Sequence, residues 1–133
     1  MIIIQPAKRQ SDSFGSGHYG ASRGSRKHNG IDYACLPGGK VLSPVSGSVT
    51  KLGYPYGDDL SFRYVQITDS DNIDHRVFYC DPKVKVGDHV TGGLSMIGYV
   101  QDLDKRYPGI TPHIHYEVQV DGEFIHPESR TFL

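Results

Sequence analysis

The run Ile114-His115-Tyr116-Glu117-Val118-Gln119-Val120 alternates apolar and polar residues, and Asp121-Gly122 and Glu123-Phe124-Ile125 follow at once. An Asp-Gly pair between alternating runs is a strong sequence signal for a β-hairpin. A second hairpin is expected further up the chain. Phe62 to Thr68 alternates, Asp69-Ser70-Asp71-Asn72 can turn, and Arg76 to Cys80 returns. Shorter strand-like runs at 30–35, 40–43, 47–52, 85–90 and 96–100 are separated by turn residues such as Leu36-Pro37-Gly38-Gly39 and Pro44. Only Gln101 to Arg106 could form a helical turn. The expected fold class is all-β, with little helix. Many short antiparallel strands would form a sheet sandwich or a partly open barrel.

At 133 residues the chain is expected to form one domain, 28–133, preceded by an arm at 1–27 rich in Gly, Ser, Arg and Lys. The net charge of -1 offers no global basic field, so neither nucleic acid nor an anionic membrane is an expected partner. No apolar run is long enough to span a bilayer. Met1-Ile2-Ile3-Ile4 is too short for a signal-peptide core, so synthesis in the cytoplasm without a signal peptide is expected. Cys35 and Cys80 are too few for a disulfide framework and are not spaced as a cysteine-based zinc site. They are expected to be buried free thiols facing away from the residues that carry chemistry.

Those residues fall in two places. His28-Asn29-Gly30-Ile31-Asp32 sets a histidine four residues before an aspartate, and His113-Ile114-His115 sets two histidines on one strand face. On a strand, positions 28 and 32 share a face, as do 113 and 115. Imidazole and carboxylate donors suit zinc, and two histidines with one aspartate would leave a fourth position open. Water held there would lose its proton near neutral pH and become a nucleophile. Glu117 continues the His113–His115 face, either as a partner that orients His115 or as an exposed strand carboxylate.

Several motifs then appear in order: His28-Asn29-Gly30-Ile31-Asp32, Ser43-Pro44-Val45, Gly47-Ser48-Val49, Val86-Gly87-Asp88-His89-Val90, Ile97-Gly98 and Pro112-His113-Ile114-His115-Tyr116-Glu117-Val118. Over residues 28–127 the chain resembles the LytM/lysostaphin family of peptidoglycan zinc metalloendopeptidases. The resemblance implies a sheet-floored groove holding one Zn2+ through His28, Asp32 and His115. His113 would lie beside the metal without binding it, activating water and stabilising the tetrahedral intermediate. The arm at 1–27 would pack on or near this cleft. The substrate implied is a peptidoglycan stem or cross-bridge peptide, and the chain is expected to be a monomer. It would act on the cell wall or periplasm after release, or be virion-associated, as a phage or bacterial lytic enzyme.

The chain departs from the family at one step. Tyr79-Cys80-Asp81 puts an aspartate where a second, non-ligand catalytic histidine is usual. Asp81 then acts as a carboxylate base, or it orients His113, or activity is weakened; an ionised aspartate cannot donate a hydrogen bond to an oxyanion. His75, Tyr19 or His18 could supply a donor, and Tyr19 fits a tyrosine that some relatives place at the cleft wall. Gly17, Tyr19, Ala21, Arg23, Cys35, Phe78-Tyr79 and Tyr107-Pro108-Gly109-Ile110 also resemble the leukocyte cell-derived chemotaxin 2 branch of this fold, and compact phage and bacterial metallopeptidases. That branch keeps the zinc and binds ligands, so the alternative function is a zinc-bearing pseudo-enzyme that binds cell-wall or protein ligands.

Other candidates read more plainly. His89 and His126 are expected at the surface or in turns, and His75 is expected to be exposed beside its hairpin. Tyr54-Pro55-Tyr56-Gly57 is a turn that either shapes a cleft wall or only reverses the chain. Lys85 to Val90 also occurs in lipoyl-type and sugar-phosphotransferase β domains. A two-histidine phosphocarrier would need neither His28-x-x-x-Asp32 nor His113-x-His115.

Overall fold

The computed structural model describes residue 20, the backbone of 22–23 and 26–27, and residues 29–129. The expected ligand His28, the expected cleft residue Tyr19, His18 and most of the arm lie outside the described residues. Strands follow one another with little else: β1 (Ser22–Arg23), β2 (Arg26–Lys27), β3 (Ile31–Ala34), β4 (Lys40–Leu42), β5 (Gly47–Gly53), β6 (Tyr64–Thr68), β7 (Asp74–Phe78), β8 (Cys80–Pro82), β9 (His89–Val90), β10 (Met96–Val100), β11 (His113–Val120) and β12 (Glu123–Ile125). Leu103–Lys105 and Pro127–Ser129 are single 3-10 turns. All strand pairs are antiparallel among the described residues.

The main sheet runs β12-β11-β7-β6-β5-β9, and β3 pairs with β11 on the same edge as β12. A second sheet, β4-β10-β8, supplies the other layer. The two sheets stay separate and do not close into a barrel. The expected hairpin at Asp121-Gly122 is present, with φ of 50° and 81° at its two central residues. Both values are positive, as the tight hairpin turn requires.

Strand parity sorts the main sheet into two faces. Ile31, Tyr33, Val49, Val65, Ile67, Val77, Ile114, Tyr116 and Val118 point into the core with Val41, Ile97, Val100 and Cys80 of the second layer. The opposite face carries Asp32, His113, His115, Glu117, Arg76, Phe78, Tyr64 and Gln66. Both cysteines are free thiols, Cys80 in the core and Cys35 half-buried with its Sγ donating to the Tyr33 carbonyl, as expected of groups turned away from this face.

One expectation fails on the core side. His75 is not exposed but fully buried. Its position on β7 has the parity of Val77, so it points inward. Its Nδ1 lies 2.7 Å from the Tyr116 hydroxyl and its Nε2 2.8 Å from Asp69 Oδ2. Asp69 Oδ1 accepts the backbone N–H groups of Asp71 and Ile73 in the β6–β7 turn. This network satisfies buried polar atoms and ties that turn to β11. Partial burial alone would raise the Asp69 carboxyl, but the hydrogen bonds from His75, Ile73 and Asp71 outweigh it and hold the group below its ordinary range. A depressed carboxyl stabilises the fold above its unfolded pKa, and that stability is lost as pH falls through the folded value. Asp69→Asn is therefore expected to cost about 1–3 kcal/mol at pH 7. The difference in melting temperature from the parent should shrink on acidification below about pH 4. Thermal melts of both proteins across pH 3 to 7 check this; a pH-independent difference would count against the network.

Candidate metal centre

Register brings the two halves of the sequence motif together. In the β3–β11 pairing His115 stands opposite Asp32 and His113 opposite Ala34. Asp32 is 2% exposed and His113 3%. His115 Nδ1 lies 2.9 Å from Asp32 Oδ1, and its Nε2 lies 2.9 Å from Glu117 Oε1. Carboxylates can only accept, so in this arrangement both ring nitrogens carry protons. Burial would lower this histidine, but hydrogen bonds and charge attraction from Asp32 and Glu117 prevail, and it is pushed up to about 9. Of the two readings of Glu117, the buried one holds. Its other oxygen is 3.8 Å from Arg76.

Gly30 permits this packing. A Cβ there would sit 2.3 Å from the Tyr116 carbonyl oxygen and within 2.9 Å of His115 Cε1 and Nε2. Any other residue would push the imidazole off its two carboxylates.

This donor set fits a zinc ion. The Asp32 carboxylate and the His115 Nδ1 edge face each other, and Glu117 holds the far nitrogen as carboxylates do behind metal-bound histidines. Metal binding at His115 would displace the Nδ1 proton and leave the Nε2–H···Glu117 bond in place. No group of three or more such side chains able to hold a metal is found among the described residues, and the third expected ligand, His28, lies outside them.

His113 is held differently. Its Nδ1 donates to the Thr111 carbonyl at 2.7 Å, because a carbonyl can only accept, and Nε2 is the nitrogen left for other contacts. That Nε2 is 3.5 Å from Asp32 Oδ2. The ring standing against His113 is Tyr79, edge-on at 5.5 Å between centroids. Asp81 lies on β8 with about half of its side chain exposed, and its carboxylate pairs with Lys83 at 3.2 Å. His89 is exposed, with Nδ1 3.0 Å from Ser48 Oγ, and His126 is exposed at the end of β12, both as expected.

Beyond His113 lies a second small core that the sequence reading did not foresee. Phe62, Leu103 and Ile110 are buried, with Tyr56, Tyr79 and Tyr107 packed against them. The Tyr54-Pro55-Tyr56-Gly57 turn therefore forms part of a wall beside the site. The only sequence signal was the clustering of tyrosines near turn residues. The floor continues from His115 to Phe78, 5.2 Å away between ring centroids, and from Phe78 to Tyr64, 4.7 Å away.

The family model for peptidase family M23 matches residues 26–127. Leukocyte cell-derived chemotaxin-2 of Mus musculus is 31% identical over 109 residues, which are 82% of this chain and 71% of that protein. The catalytic domain of the antimicrobial peptidase lysostaphin from Staphylococcus simulans superposes with a TM-score of 0.64 at 23% identity, covering 88% of each chain. A zinc containing peptidase from Vibrio cholerae superposes with a TM-score of 0.61 at 27% identity, covering 90% of this chain and 37% of the other.

Proposed function

The chain belongs to peptidase family M23, and from that premise we propose that it is a zinc-dependent endopeptidase cleaving peptide bonds in bacterial peptidoglycan stems or cross-bridges. The observation that carries this is the buried Asp32–His115 pair with Glu117 fixed behind it. The zinc-containing relative supports the choice of metal. The lysostaphin catalytic domain, an antimicrobial peptidase by its description, supports a cell-wall substrate.

His28, Asp32 and His115 would hold the ion. When bound, zinc makes water acidic enough to deprotonate near neutral pH and polarises a carbonyl. The residues of the chain do the rest. His113, with its Nδ1 held by Thr111, takes the water proton on Nε2 as the water oxygen bonds to the carbonyl carbon and the carbonyl π pair moves to oxygen. When the C–N bond breaks, His113 returns that proton to the leaving amine. The burial of Asp32 and His113 limits bulk water around these steps, which strengthens each electrostatic contact.

Purified protein incubated with peptidoglycan sacculi should release soluble fragments with new amino termini. A chelator should stop the release and added Zn2+ should restore it. Zinc bound at one per chain with intact sacculi would instead favour a binding module.

A further inference from the structure

The register of the main sheet lays two rows of residues across its strands, on the face that carries the metal centre. One row runs Asp32–His115–Phe78–Tyr64–Gly53, over β3, β11, β7, β6 and β5. The next runs Glu117–Arg76–Gln66–Lys51, over β11, β7, β6 and β5. At the far end of the first row a Cβ on Gly53 would stand 2.1 Å from Tyr64 Cζ. The missing side chain is what lets the Tyr64 ring lie across β5. Neighbouring strands are about 4.8 Å apart, so Tyr64, two strands from His115, stands about 10 Å from it. An extended peptide covers that distance in about three residues.

Two cations converge on the Tyr64 ring. Lys51 Nζ is 5.7 Å from its centroid and the Arg76 guanidinium carbon 5.5 Å. The ring attracts both charges and packs against the lysine stem. Arg76 is held in place, with its Nε donating to Gln66 Oε1 at 2.8 Å. Its carboxylate contact, Glu117 at 3.8 Å, is already bonded to His115. Lys51 is exposed and has no carboxylate partner among the described residues. Gln66, between the two cations, is neutral, and its amide nitrogen donates to Thr50 Oγ1. Asp74, one row further on, accepts from Thr68 Oγ1. This corner therefore gathers positive charge without a matching counter-charge, on a chain whose net charge is -1. Like charges held together repel, and a bound anion relieves that repulsion.

We propose that this corner is an anion subsite of the cleft, where Lys51 and Arg76 bind a carboxylate that the substrate carries about three residues from the scissile bond. This rests on the peptidase reading and narrows the substrate to acidic peptides. The Phe78–Tyr64 row is the floor that the peptide crosses. Lys51 and Arg76 set specificity and take no part in bond breaking.

Sacculi in two forms supply the test, one untreated and one with its carboxyl groups amidated by carbodiimide and ammonia. Binding is read by cosedimentation in the presence of a chelator, so that nothing is hydrolysed. The parent protein should bind amidated sacculi about five- to tenfold more weakly than untreated ones. The difference should fade in about 0.5 M salt. Non-specific charge acts the other way, because a chain of negative net charge is repelled by carboxylates. Lys51→Gln should lose most of the difference. Gln66→Glu removes neither cation, but its carboxylate would take the Arg76 bond and neutralise the corner, so it should bind both forms alike. Circular dichroism controls for folding of both variants. Equal binding of the two forms by the parent would overturn the proposal. So would a difference that survives in folded Lys51→Gln and Gln66→Glu. Selective binding by a parent that never cleaves sacculi would end the peptidase reading and leave the anion site standing. Cleavage by a parent that binds both forms alike would do the reverse.

Discussion

Asp32→Ala and His115→Ala are each expected to leave a folded protein that no longer retains zinc and no longer hydrolyses peptidoglycan. With three protein ligands, none is to spare. The two side chains also hold one another, at 2.9 Å, in surroundings where Asp32 is 2% exposed. Losing either removes the other's close partner in a buried setting, which weakens the site beyond the loss of one donor. His28→Ala should behave in the same way. Glu117→Gln is the graded member of the series. The amide oxygen can still accept from His115 Nε2, but without the charge, and metal affinity should fall about 10- to 100-fold. Atomic absorption after dialysis, with circular dichroism as the folding control, reads all four. Stoichiometric zinc in the folded Asp32→Ala and His115→Ala proteins would remove these residues from the metal site.

Most of this site was legible because its members lie on strands, where period two is strict. The shared face of His113, His115 and Glu117 on β11 follows from parity once the strand is recognised, whereas the meeting of Asp32 with His115 was implied only by the family resemblance and is set by the β3–β11 register. The partnership of His115 with Glu117 was legible as one of two readings, and only the register of β11 against its neighbours decided it. His75 was misjudged for a related reason. Its neighbours Asp74 and Arg76 are polar, so the run does not read as a buried strand segment, and the partner that makes burial tolerable, Tyr116, lies 41 positions away. Tyr79 was not legible. Its direction depends on a left-handed backbone step that no local residue preference announces, and on bonds to Arg63 and Gln101 from distant loops. The aromatic wall is likewise assembled from segments around 56, 62, 79 and 107, none of which carries a periodic signal of its own.

Under the proposed mechanism His113 serves the chemistry and not the metal. Its Nδ1 is occupied by the Thr111 carbonyl, its ring stands edge-on to Tyr79 and its Nε2 lies 3.5 Å from Asp32 Oδ2, whereas the shorter Asp32–His115 and His115–Glu117 bonds do not run through it. His113→Ala should therefore keep one zinc per chain and lower kcat by about 10²–10⁴-fold, the usual contribution of a positioned acid–base group. At 1.36 kcal/mol per decade this is about 3–5 kcal/mol of barrier. The substitution also empties a buried, ring-shaped space beside Tyr79, because His113 is only 3% exposed and interiors collapse incompletely around deleted side chains. Imidazole added to the assay can enter such a space and should restore part of the lost rate in a saturable way, whereas the parent protein should gain nothing. A residue that only packed the site would show no such rescue. Loss of zinc from folded His113→Ala would make this histidine a ligand, and an unchanged kcat would exclude it as the base.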